Sequence, residues 1–76
     1  MNKQRRDSLR QAVGFLSQAE SIVERVSDKE QDCMDNTPEN FQESERYAAM
    51  ENAVDQLNDA LTGIGEVKEM IRAAMA

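Results

Sequence analysis

The residues best suited to chemistry crowd into Asn36-Thr37-Pro38-Glu39-Asn40-Phe41-Gln42-Glu43-Ser44-Glu45-Arg46-Tyr47, where amide, hydroxyl and guanidinium donors share one turn region. Gln42, Ser44, Arg46 and Tyr47 can form a polar pocket in which a helix start and Arg46 receive phosphate or carboxylate while Tyr47 stacks. A purely structural reading makes Ser44 a helix cap, Glu45 a dipole-favourable first-turn acid and Arg46 the partner of a loop acid. Around this segment Asp32, Asp35, Glu39, Glu43 and Glu45 offer a negative surface to a basic partner. Near the chain start, Arg5, Arg6 and Arg10 offer the opposite, a site for an anion such as a signalling nucleotide.

Catalysis is not expected. The chain has no His to move protons at neutral pH, no paired thiol and no Ser with an evident base. The acids near the loop, Asp28 and Glu30 included, do not follow the calcium-loop spacing, and one Cys without His builds no zinc site, so neither metal nor cofactor is implied. Gly63-Ile64-Gly65 follows no strand and lies inside a helical period, which suggests close helix packing or a kink rather than a phosphate loop; Gly14 invites the same reading. Cys33 reads as a small apolar residue ending a helical stripe.

The positioning elements follow from hydrophobic period. Leu9, Ala12, Leu16, Ala19, Val23, Val26 and Cys33 keep a 3-4 spacing broken at Glu30, with Val13, Phe15 and Ile22 widening the stripe; this predicts a helix over about 4–34. Tyr47, Met50, Val54, Leu57, Leu61, Ile64, Ile71 and Met75 repeat the pattern, with Ala53, Ala60, Val67 and Ala74 as a flanking row, and predict a helix over about 44–75. Between them, about 35–43, Asp35-Asn36-Thr37-Pro38 breaks the first helix, Thr37 is placed to cap a short turn, and Phe41 is expected to close the end of the core.

A short connection between long helices makes them antiparallel, so the expected fold is all-α, a single-domain helical hairpin over 1–76. No disulfide or metal can staple a chain this small, and its stripes are wider than a two-stranded seam requires. A homodimeric four-helix bundle or higher oligomer is therefore expected, with Leu16, Val23, Met50, Leu57, Leu61, Ile64 and Ile71 at its interface. Charge is segregated: Lys3, Arg5, Arg6 and Arg10 face only Asp7 over residues 1–10, whereas seven acids face Lys29 over 28–45. Lys68 and Arg72 are expected to join the basic end, and like charge at each end discourages end-to-end stacking. The net charge of −6 argues against general nucleic-acid binding. No apolar stretch suits a membrane span or secretory signal, so a soluble cytoplasmic protein is expected.

The run Asp35-Asn36-x-Pro38-Glu39-Asn40-x-Gln42-x-Ser44-Glu45-Arg46-Tyr47, continuing through Met50-Glu51, Ala53-Val54-Asp55 and Leu57, resembles a family of short acidic helical-hairpin proteins of bacteriophages, prophages and mobile elements. The resemblance covers about the last two thirds of the chain, and Asn-x-Pro-Glu with Gln-x-Ser-Glu-Arg is its specific part. Fewer acids on the first helix and glycines at 63 and 65 depart from it, so shared packing carries over and no activity does. It implies a phage setting in the cytoplasm of an infected bacterium. The leading expectation is then a non-enzymatic binder of a host protein that antagonises a defence system, such as a CRISPR effector. The alternatives are an oligomeric sponge for an immune signalling nucleotide and a phage structural or assembly protein.

Overall fold

The computed structural model describes residues 1–76 as two long helices and one short turn. Helix α1 spans Lys3–Asp35, a 3₁₀ turn spans Glu39–Phe41, and helix α2 spans Glu45–Met75. The helices fold back on each other as a rod of 59 × 15 × 13 Å. The chain is an all-helical hairpin.

Local chemistry sets the boundaries. The Asn2 side chain accepts the Arg5 backbone N–H at 2.9 Å and starts α1. At the far end the N–H groups of Asn36 and Thr37 donate to Asp32 and Met34 carbonyls at 3.0 Å, closing the last turn. Pro38 then excludes further α-helix, and Ser44 starts α2 by accepting the Tyr47 N–H on Oγ at 3.1 Å. Two loop expectations are corrected. Thr37 does not cap the short turn; its hydroxyl donates back to the Cys33 carbonyl at 2.8 Å, because it still lies within reach of the last α1 turn. Phe41 does not close the core: it lines an open groove beside the loop and is 56% exposed.

The seam between the helices follows a strict 3-4 spacing. On α1 it runs through Leu9, Val13, Leu16, Glu20, Val23, Ser27, Glu30 and Met34, and on α2 through Tyr47, Met50, Val54, Leu57, Leu61, Ile64, Lys68, Ile71 and Met75, all buried or half-buried. The α1 register differs from the periodicity expected: Ala19, Val26 and Cys33 lie outside the seam and are exposed. Polar pairing accounts for this choice. Lys68 Nζ donates to Glu20 Oε1 at 2.8 Å and to Ser17 Oγ at 3.4 Å, and Ser27 Oγ donates to Asn58 Oδ1 at 3.1 Å. Ser27 is only 4% exposed, yet no buried side-chain polar atom lacks a partner. Seating Glu20 and Ser27 inward therefore satisfies groups that α2 brings to the seam. Lys68 consequently does not join the basic end, and Arg72 is engaged by Glu69 at 2.7 Å.

Met34 and Val54 are the only buried hydrophobic residues, so the seam is thin. The glycines do not serve close packing within the hairpin, since a Cβ at Gly14, Gly63 or Gly65 would meet nothing within 4 Å, and none has positive φ. Gly14 and Gly65 thus weaken their helices without return inside the chain. Replacing either by Ala should stabilise the protein by about 1 kcal/mol, a rise of roughly 4–8 °C in Tm for a domain of this size. A thermal melt in which G14A and G65A both lower Tm would show that these positions meet something the hairpin alone does not contain.

Candidate functional site

The loop end of the rod gathers the acids. Asp28, Asp32, Asp35, Glu39, Glu43 and Glu45 are all exposed there, and Glu30 is half-buried in the seam. The ion pairs of the chain are Lys3–Asp7, Arg10–Asp7, Lys68–Glu20 and Arg72–Glu69; none involves a loop-end acid. Asp35 accepts a hydrogen bond from Gln31 Nε2 at 3.0 Å and remains unneutralised. Helix geometry sharpens the contrast. Glu45 in the first turn of α2 suits the positive end of a helix dipole, but Asp32 and Asp35 occupy the last turn of α1, where the dipole is negative and no basic residue balances it. Each such acid costs about 0.3–1 kcal/mol. The tip carries negative charge at the expense of local stability.

Beside this tip lies an open groove of about 690 Å³, lined by Asp32, Cys33, Asn36, Thr37, Pro38, Phe41, Ser44, Arg46 and Met50. The candidate anion pocket is divided by it. Ser44 and Arg46 reach the groove, and Arg46 is exposed and in no ion pair, contrary to the expected partnership with a loop acid. Gln42 and Tyr47 do not line it: Gln42 Nε2 donates to the Thr37 carbonyl at 3.4 Å, and Tyr47 is half-buried at the first seam position of α2. Asp32 on the wall opposes a highly charged anion.

At the opposite end the three arginines do not converge. Arg10 pairs with Asp7 at 2.6 Å, and Arg6 is half-buried with its Nε donating to the Met75 carbonyl at 3.2 Å. Arg5 is exposed, roughly 100° around the helix from Arg6.

The remaining feature is a side of the rod. Leu16, Val23, Met50, Leu57, Leu61, Ile64 and Ile71, expected at an interface between copies, lie half-buried in the seam between α1 and α2, where each helix sets its best aliphatic row on its nearest neighbour. Over 12–33 and 53–74, residues immediately preceding seam positions form a second row on each helix: Ala12, Phe15, Ala19, Ile22, Val26, Lys29 and Cys33 on α1, and Ala53, Gln56, Ala60, Gly63, Val67, Met70 and Ala74 on α2, apolar except for Lys29 and Gln56. Antiparallel packing brings these two rows to the same side. Phe15 is 60%, Ile22 52% and Met70 70% exposed there. The opposite side holds residues that follow the seam, such as Arg10, Ser17, Glu24, Glu51 and Asn58, and the Ser17 and Asn58 bonds to seam residues mark it as the polar side. The signal for the apolar side was present in the extra width that Phe15 and Ile22 give the first stripe.

No family model, curated protein or solved structure matches this chain. Ser44 has a defined structural role irrespective of any ligand. S44A removes the side-chain acceptor of the Tyr47 N–H and should cost about 1 kcal/mol, read as a lower chemical-denaturation midpoint, while S44D should retain most of the stability.

Proposed function

We propose that the protein is a non-enzymatic binding protein of the phage type its loop segment resembles, which antagonises a host defence machine. It acts by setting its acidic tip on a basic surface that otherwise engages nucleic acid. The observation that supports this reading is the placement of Asp32 and Asp35 at a helix C-terminus without a compensating base, among neighbours that are likewise unpaired. Acids held where they disfavour folding are best accounted for by what they meet outside the chain. The setting is the cytoplasm of an infected bacterium, the partner class is a nucleic-acid-handling host protein such as a CRISPR effector, and no helix is long and apolar enough to cross a membrane.

Affinity-tagged protein incubated with nuclease-treated bacterial lysate should retain a basic host protein. Binding of the purified pair should weaken about tenfold or more when Asp32, Glu39 and Glu43 are changed to Lys, or when salt is raised from low to high. Undiminished binding by the charge-reversed variant contradicts the mechanism.

The groove supports a second reading, a sponge for an immune signalling nucleotide. Its volume of about 690 Å³ lies within the range of small-molecule sites, and it presents an unpaired Arg46 beside Ser44 and the apolar Phe41 and Met50. A thermal-shift panel of cyclic nucleotides and ADP-ribose derivatives, with mass analysis of small molecules released on denaturation, tests it. A ligand-induced rise in Tm that R46A abolishes supports the sponge, and no shift with no released ligand refutes it.

A further inference from the structure

The apolar side of the rod has the composition, area and symmetry of a surface built for another copy of itself. The chain exposes 5729 Å², whereas a globular protein of 8.6 kDa exposes about 4,700 Å². The excess of roughly 1,000 Å² is close to the approximately 800 Å² that each partner contributes to a standard stable interface. On one side of this elongated rod Phe15, Ile22, Val26, Val67 and Met70 stand exposed.

We propose that a second copy of this chain covers that side, with the two hairpins face to face and their loops at opposite ends, as a four-helix bundle. Two features decide the orientation. The first is the symmetry of the rows. The α1 row from Ala12 to Cys33 is centred on Ile22, and the α2 row from Ala53 to Ala74 on Gly63; both centres lie between the Glu20–Lys68 and Ser27–Asn58 bonds that fix the register of the hairpin. One two-fold axis perpendicular to the rod can therefore pass through both. Each α1 then packs on its equivalent: Ile22 meets Ile22, Ala19 meets Val26, and Phe15 meets the aliphatic stem and ammonium of Lys29, a favourable partner for an aromatic face. On α2, Gly63 meets its equivalent across the axis, Ala60 meets Val67, Ala53 meets Ala74 and Met70 comes level with Gln56, so the α2 helices cross the axis at a residue without a side chain. A glycine with open space over it inside the hairpin thereby gains a use.

The second feature is charge. With loops at the same end, two tips that each carry seven acids against Lys29 over residues 28–45 would be stacked together. With loops at opposite ends, the end of each chain bearing Lys3, Arg5, Arg6 and Arg10 lies toward the acidic end of the other rather than the two acidic tips lying together. Asp28 and Asp35 follow seam residues, so they face away from the covered side and remain available at both tips. The interface does not depend on the function proposed above.

Light scattering after size exclusion should give the full chain twice the single-chain mass of 8.6 kDa. I22D places two carboxylates at the two-fold axis and should raise the dissociation constant by about 100-fold or more. Because Ile22 is 52% exposed in the hairpin, the same change would be nearly silent in a solitary chain. Orientation is read on a C33S/N40C chain carrying one spin label per loop: opposite loops give a separation near the 59 Å length of the rod, and adjacent loops one near its 15 Å width. A single-chain mass, an I22D variant with unchanged mass and melting temperature, or labels near the shorter distance each overturn the proposal.

Discussion

A two-helix hairpin can bury only one strip of each helix, and this chain has two apolar strips on each. That geometric constraint governs the rest of the molecule. The inner strip forms the seam, with Leu9, Leu16 and Val23 on α1 and Leu57, Leu61, Ile64 and Ile71 on α2, but only Met34 and Val54 become buried apolar residues. The outer strip, one residue earlier at each step, is left on a single side of the rod. Both strips are amphipathic solutions for the same sequence, and helix propensity alone does not choose between them.

The choice is made by polar groups rather than by oil. Glu20 and Lys68 face each other at 2.8 Å, with side chains 30% and 13% exposed. Desolvating such a pair brings little net stability, but leaving either partner alone in the seam would be costly. Together with the Ser27–Asn58 bond, the pair penalises any slip of one helix against the other, because a slip would strand a charge or a hydroxyl among Leu and Val side chains. A position or two lost in hydrophobicity thus yields a defined register, and the register in turn brings Ala19, Val26 and Val67 to the same side. The opposite side, lined by Arg10, Glu24 and Glu51, cannot take that role.

Much of this architecture was legible in the residues. Two helical periods, the break at Asp35–Pro38 and the Ser44 start signal led directly to the hairpin, and the observed ends fall within one or two residues of those expected. Periodicity places the α1 seam one row off because it rewards apolar side chains, and Ala19, Val26 and Cys33 continue the Leu9–Leu16–Val23 row as well as Glu20, Ser27 and Met34 do. Only the counterparts on α2, Lys68 and Asn58, distinguish the two, and a one-dimensional pattern does not pair them. The site was less legible. The acidic tip follows from composition, but the separation of Gln42 and Tyr47 from Ser44 and Arg46 depends on how the chain turns after Glu39–Phe41, which lets Gln42 reach back to the Thr37 carbonyl, and on the phase of α2, which gives Tyr47 the first seam position; spacing does not encode either. The exposure of Phe41 has the same origin.

If the outer strip is sheltered by association, folding and assembly are one equilibrium, and dilution must destabilise the helices themselves. The most direct measurement is the melting temperature of the helical circular-dichroism signal over a hundredfold range of protein concentration. Mass action predicts a fall on the order of 5–10 °C across that range. A melting temperature independent of concentration, with the helical signal intact at the lowest dilution, would contradict the account and leave the thin seam of the hairpin sufficient by itself.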